Sequence, residues 1–191
     1  MAHSVSSTRV FDVETNHLDI KKFKLADYFP EGYEIREYGI DTHKKKPNAH
    51  DLLGKKAPDW TLPDFNNRMV TLNKLGSKVV LLKFTGIGCG PCQASVPALK
   101  RMAEDYEDKD LELISLETWT NNMQSLKHYS DKNEMNYKFL NCSDEVKKTY
   151  KISGVPVFFV LDKNRIIRKV IKGFSPEKTE KNLRAVVNKL L

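Results

Sequence analysis

The sequence predicts an α/β fold with a central mixed β-sheet flanked by helices, and three observations carry that reading. The runs "SKVVLLKF", "LELISL" and "VPVFFVLD" are short, continuous and rich in Val, Leu, Ile and Phe, the texture of strands buried on both faces. Helix-like segments separate them, so strand and helix alternate through the middle of the chain. Two further pairs of short apolar stretches, each broken by a turn signal, read as β-hairpins at either end of that alternation.

Taken in order, residues 1–50 carry mixed charge, the turn-prone "FPEGYE" and the breaker "KKKPN", with weak alternation around Val10–Val13 and Gly32–Tyr38. They are expected to form an N-terminal extension with short strands, followed by one main domain over residues 51–191. Two apolar stretches either side of Asn66-Asn67 open that domain as a hairpin, because Asn tolerates the left-handed geometry of a tight turn. After "SKVVLLKF", Val96, Leu99, Met102, Ala103 and Tyr106 recur at spacings of three and four and mark the apolar face of a helix that Pro97 should kink.

"LELISL" is the next strand, "NNMQSLKHYSDKN" a helix and "YKFLN" a short strand. "SDEVKKTYKI" is a short helix capped by Ser143, with acids in its first turn. "VPVFFVLD" and "IIRKVIKG" then pair across the turn "KN", and a last helix is expected to start with Ser175 as cap and Pro176 at its first position.

At 191 residues the chain has room for one well-buried domain and an appendage, since single domains most often run about 100 to 150 residues. No apolar run approaches the roughly 18 to 20 residues that span a bilayer. The net charge of +7 comes from lysines scattered along the chain, and no basic helix or stacking pattern of aromatics accompanies it, which argues against nucleic acid as a partner. The start "MAHSVSSTRV" lacks the positive and apolar regions of a signal peptide.

The chemistry concentrates in "FTGIGCGPCQASVP", where Cys89 and Cys92 stand two residues apart at the end of a strand and the start of a helix. A cysteine at a helix N-terminus is stabilised as thiolate by unpaired backbone N–H groups, so Cys89 is the candidate nucleophile. Cys92, one turn inside, would attack a mixed disulfide and release the partner, while Pro91 fixes the first turn. Two other readings compete with a working redox couple. Zinc would need further ligands, which His43, His50 and His128 do not supply at suitable spacing, so no metal is expected. A purely structural disulfide would constrain the unfolded chain little across so short a loop.

These residues resemble a known family. Cys89-Gly90-Pro91-Cys92 after a buried strand matches the thioredoxin motif, and "SGVPVFFVLDKNRIIRKVIKG" is similar to the thioredoxin-fold segment in which a Val-Pro bond is cis and faces the dithiol. "GKKAPDWTLPDFNNRMVTLNKL" resembles the leading hairpin of extracytoplasmic TlpA/ResA-type thiol–disulfide reductases, and "CGPCQASVPAL" their Cys-x-x-Cys-x-x-Glu-x-Pro-x-Leu pattern. The likeness covers Leu53–Leu191. It implies a thioredoxin fold with an added N-terminal hairpin, of the AhpC/TSA-like kind, with Val155 and Pro156 presenting an extended substrate beside Cys89 as an added strand. It implies no cofactor, protein disulfide or thiol substrates, an upstream redox partner, and a periplasmic or cell-envelope location with any membrane anchoring through an N-terminal segment absent here. A cytoplasmic reductase is the alternative.

Several positions depart from the family pattern. Gly88 stands where Trp is usual, which should leave Cys89 more exposed. Lys83 stands where thioredoxins bury an acid; it would either favour thiolate from beneath the pair or snorkel to the sheet's edge. Ser95 replaces the family's Glu, and Glu117 is a candidate replacement acid, although a solvated residue at a strand end is its more ordinary reading. Cys142 reads as a small buried apolar residue in preference to a resolving thiol, and "NYKFLNC" lacks the Pro-x-x-x-Thr/Ser-x-x-Cys setting of a peroxidatic cysteine. The function expected is thiol–disulfide exchange by Cys89 and Cys92; the alternative is a binding module whose disulfide is structural.

Overall fold

The structure is a computed structural model, and it describes residues 48–191. The short strands expected around Val10–Val13 and Gly32–Tyr38 lie outside the described residues.

Strand β3 (Val79–Thr85) is buried at every position and lies at the centre of a five-stranded sheet in the order β5-β4-β3-β6-β7. Its neighbours β4 (Leu111–Glu117) and, beyond it, β5 (Lys138–Asn141) run parallel to it, whereas β6 (Val157–Leu161) and β7 (Ile167–Lys172) form an antiparallel hairpin on the other side. The sheet is therefore mixed, as the alternation and the terminal hairpin predict.

Period-two alternation along β3 divides its side chains between two cores. Val80, Leu82 and Phe84 face one, filled by Trp60, Leu62, Tyr150 and Phe159; Val79 and Leu81 face the other, filled by Leu99, Met102, Leu183 and Val187. The helices α2 (Val96–Asp105) and α5 (Thr179–Leu190) supply that second face, and α3 (Met123–Lys132) lies against β5. The first is covered by a small antiparallel pair, β1 (Thr61–Pro63) with β2 (Met69–Thr71), and by α4 (Asp144–Thr149) with Tyr150 after it.

Local signals act where expected. Asn67 takes φ +59° in the β1–β2 turn, and Ser143 Oγ caps α4 by accepting the Val146 N–H. In the β6–β7 turn Asp162 Oδ1 accepts from the N–H groups of Asn164 and Ile166. The kink at Pro97 is a complete break: α1 (Gly90–Ala94) ends, Ser95 joins, and α2 begins at Val96.

The start of the last helix differs from expectation. Residues 176–178 form a turn and α5 begins at Thr179. Thr179 Oγ1 accepts the Ser175 N–H at 2.9 Å and the Thr179 N–H donates to Ser175 O at 2.9 Å, so Ser175 joins this end through its backbone and its hydroxyl does not cap it.

Tyr150 ties α4 to the segment that leads into the hairpin: fully buried, it packs on Phe84 and Phe159 and donates its hydroxyl to Pro58 O at 2.7 Å. Tyr150→Phe keeps the ring but strands that carbonyl. It should lower unfolding free energy by about 1 to 2 kcal/mol with an unchanged m-value, read from urea denaturation.

Candidate active site

The parallel order of β3 and β4 brings their C-terminal ends together, and the antiparallel β6 adds its N-terminal end to the same edge of the sheet. Three loops meet there: Gly86–Cys89 after β3, Thr118–Asn122 after β4, and Val155-Pro156 before β6. The dithiol occupies the middle one.

Cys89 is the N-cap of α1 and forms a disulfide with Cys92 across a Cα–Cα distance of 5.2 Å. Its Sγ also accepts the Cys92 N–H at 3.3 Å, the local donor that favours a thiolate once the bond is reduced. With α1 only five residues long, this single N–H counts for more than any macrodipole. Pro91 is the second residue of α1, where no N–H is required.

Cys89 is 7% exposed and Cys92 not at all. The greater exposure expected from the missing aromatic is thus not found. On the β6 side the Val155 carbonyl lies 3.9 Å from Cys89 Sγ, a contact over the sulfur, and the Val155–Pro156 bond is cis. Gly88 has a reason of its own: φ is +91°, a conformation that Trp would adopt only with strain, although the space around it is open.

Lys83 does not snorkel. It is 1% exposed, on the helix-facing side of β3, and its Nζ donates to Cys92 O at 2.9 Å; Ser95 Oγ donates to the same oxygen at 2.6 Å. Burial pushes the Lys83 ammonium down to about 7, with the Glu117 charge opposing.

Glu117 is likewise fully buried, which overturns its reading as a solvated strand-end residue. Its Oε2 accepts the Ile87 N–H at 2.9 Å, and its Oε1 accepts those of Trp119 at 2.8 Å and Thr120 at 3.2 Å. Burial pushes this carboxyl up, and the backbone donors hold it back. The sequence reading missed the outcome: one carboxylate laces the β3 and β4 loops together and fixes the backbone of Trp119, whose ring lies against Gly86. The available signal was Gly86, where a Cβ would come within 2.3 Å of the Trp119 indole.

Cys142 is buried on the opposite core, and burial raises its thiol to about 12, so it is a poor nucleophile. Among the described residues no cluster of three or more His, Cys, Asp or Glu could hold a metal, and no helix is long and apolar enough to cross a membrane.

A buried dithiol at the end of the central strand of a mixed sheet flanked by helices is the arrangement of thioredoxin-type thiol–disulfide oxidoreductases. Residues 53–170 match the AhpC/TSA family, and the chain belongs to it. It is similar to the thiol-disulfide oxidoreductase ResA of Bacillus thuringiensis subsp. konkukian, 26% identical over 139 residues that cover 72% of this chain and 78% of that one. Among solved structures it resembles the thioredoxin domain of a Bacteroides vulgatus thiol-disulfide oxidoreductase (TM-score 0.62, 21% identity, 71% of this chain and 98% of that one). StoA from Bacillus subtilis is also similar in fold (TM-score 0.58, 18% identity, 69% of this chain and 97% of that one).

The depressed Lys83 has a stability consequence. Unfolded, the amine titrates near 10.5; folded, near 7. Between those values the unfolded chain binds more protons, so Lys83 costs least stability above pH 10.5 and the cost grows as pH falls toward 7. Relative to Lys83→Met, both oxidised, the wild type should gain more than about 1 kcal/mol of unfolding free energy from pH 7 to pH 9, against a ceiling of about 1.4 kcal/mol per pH unit. A flat difference in urea unfolding would show a lysine that stays charged.

Proposed function

We propose that the Cys89–Cys92 pair reduces or exchanges disulfides in protein substrates. The observation that carries this reading is the placement of the pair: Cys89 caps the start of α1, and Cys92 lies one turn inside it, fully buried and at bonding distance. In the reductive direction the Cys89 thiolate attacks one sulfur of a substrate disulfide, forming a mixed disulfide and releasing the other substrate sulfur as thiolate. Cys92, losing its proton, attacks Cys89 Sγ. The Cys89–Cys92 bond forms, the second substrate thiol leaves, and two electrons have passed to the substrate. A dithiol reductant upstream restores the pair, and the oxidative direction reverses each step.

Val155 and Pro156 hold the substrate segment in this reading, supported by the Val155 carbonyl beside Cys89 Sγ. Lys83 tunes the pair through the Cys92 backbone, and Glu117 through the loops it fixes; Gly88 and Pro91 shape the turn that carries Cys89. The setting is the periplasm or cell envelope, a reading supported by the likeness to ResA-type proteins.

Cys92→Ser removes the resolving sulfur. Incubated in reduced form with a disulfide-bearing protein such as insulin, it should accumulate a covalent adduct on Cys89, visible on non-reducing gels and reversed by dithiothreitol, whereas Cys89→Ser should form none. A Cys92→Ser protein without adduct would favour the binding module with a structural disulfide.

A further inference from the structure

We propose that Trp119 is a specificity-determining residue for polypeptide substrates, an apolar shelf that receives the residue flanking the substrate's cystine. The inference rests on the exchange reading above and adds the substrate class that the site selects.

The indole lies against Gly86, where a Cβ would sit 2.3 to 2.7 Å from three of its ring carbons. The carbonyl of the same glycine accepts the Cys89 N–H at 3.1 Å. The ring thus rests one residue's backbone away from the anchor of the nucleophile's own main chain. Its footing is fixed. Glu117 takes the Trp119 and Ile87 N–H groups on its two oxygens, and Thr85 O accepts both the N–H and the hydroxyl of Thr118.

The ring is nonetheless 60% exposed, whereas Trp60, inside the first core, is 4% exposed. Single exposed apolar side chains are ordinary, and Leu53 is one, next to Gly54, which bonds to Ile167 at the far end of the sheet. Trp119 differs in standing at the reacting edge on a locked backbone. A held aromatic loses little freedom when a partner covers it, which is why Trp so often dominates recognition.

Its position relative to the other loops fits one kind of occupant. The Cys89 loop is flanked by β4, which brings Trp119, and by β6, which brings the Val155 carbonyl. Beside Gly88 a groove of about 520 Å³ opens, lined by Gln93, Asn122, His128 and Lys132 among others, polar groups suited to peptide amides. An extended polypeptide carries residues on both sides of the disulfide it presents to Cys89; a small disulfide has no flanking residue to lay on the ring.

The test compares two probes, insulin and 5,5′-dithiobis(2-nitrobenzoate), as oxidants of the reduced protein. The quantity read is the ratio of their second-order rate constants. Trp119→Ala should lower the insulin-to-small-disulfide ratio about tenfold, within the range found when a central interface aromatic is truncated. Trp119→Phe should restore most of it. An unchanged ratio, or two rates that fall together, would overturn the proposal, because a ring that merely packs or props the loop does not discriminate. A wild-type protein inert toward both probes would instead overturn the exchange reading, and the shelf with it.

Discussion

The carboxylate of Glu117 is the constraint on which the site depends. A fully buried acid is costly unless its oxygens are satisfied, and here three backbone N–H groups from two loops satisfy them. The loops are separated by about thirty residues of sequence, so the bond that fixes the approach to Cys89 is a tertiary one. Without it, the register of β3 and β4 would still align Thr85 with Glu117, but the chain beyond each strand would have no shared anchor.

Lys83 makes sense on the same face. Alternation along β3 sends it to the side that carries Glu117 on β4, away from Phe84 and Tyr150. A buried lysine needs an acceptor, and the Cys92 carbonyl is one that the broken helix leaves within reach. That carbonyl receives Lys83 Nζ, Ser95 Oγ and the Ser95 N–H, which together pin the end of α1 before α2 departs. Ser95 therefore replaces the family's glutamate with a donor: a short hydroxyl closes the turn where an acid would have added charge.

Most of the frame was legible because its signals are local or repetitive. The fully apolar texture of β3, the Asn66-Asn67 turn, the Ser143 cap and the two-residue spacing of the cysteines each depend on neighbours in sequence. The misread features depend on distant ones. Glu117 looked like a strand-end acid because its partners, Ile87 and Trp119, are set by how two loops converge. Cys89 looked exposed because Gly88 removes an aromatic neighbour, yet the residue is 7% exposed and its sulfur lies 3.9 Å from the carbonyl of Val155, 66 residues on. Ser175 and Pro176 form a good local start signal, yet residues 176–178 remain a turn and α5 begins at Thr179, whose Oγ1 accepts the Ser175 N–H.

The exchange of an acid for Lys83 beneath the pair also changes what the interior does to the chemistry. Forming a thiolate at Cys92 buries a negative charge, and a nearby carboxylate would oppose that while an ammonium favours it. Burial holds Lys83 near the point where it gains or loses its proton at neutral pH, and its Nζ meets the Cys92 carbonyl. Glu117 supports the cation from the next strand, its own charge stabilised by backbone donors that do not titrate. The electrostatics that a family member obtains from a buried acid and a second glutamate are here divided between a lysine, a hydroxyl and a carboxylate fixed to the main chain.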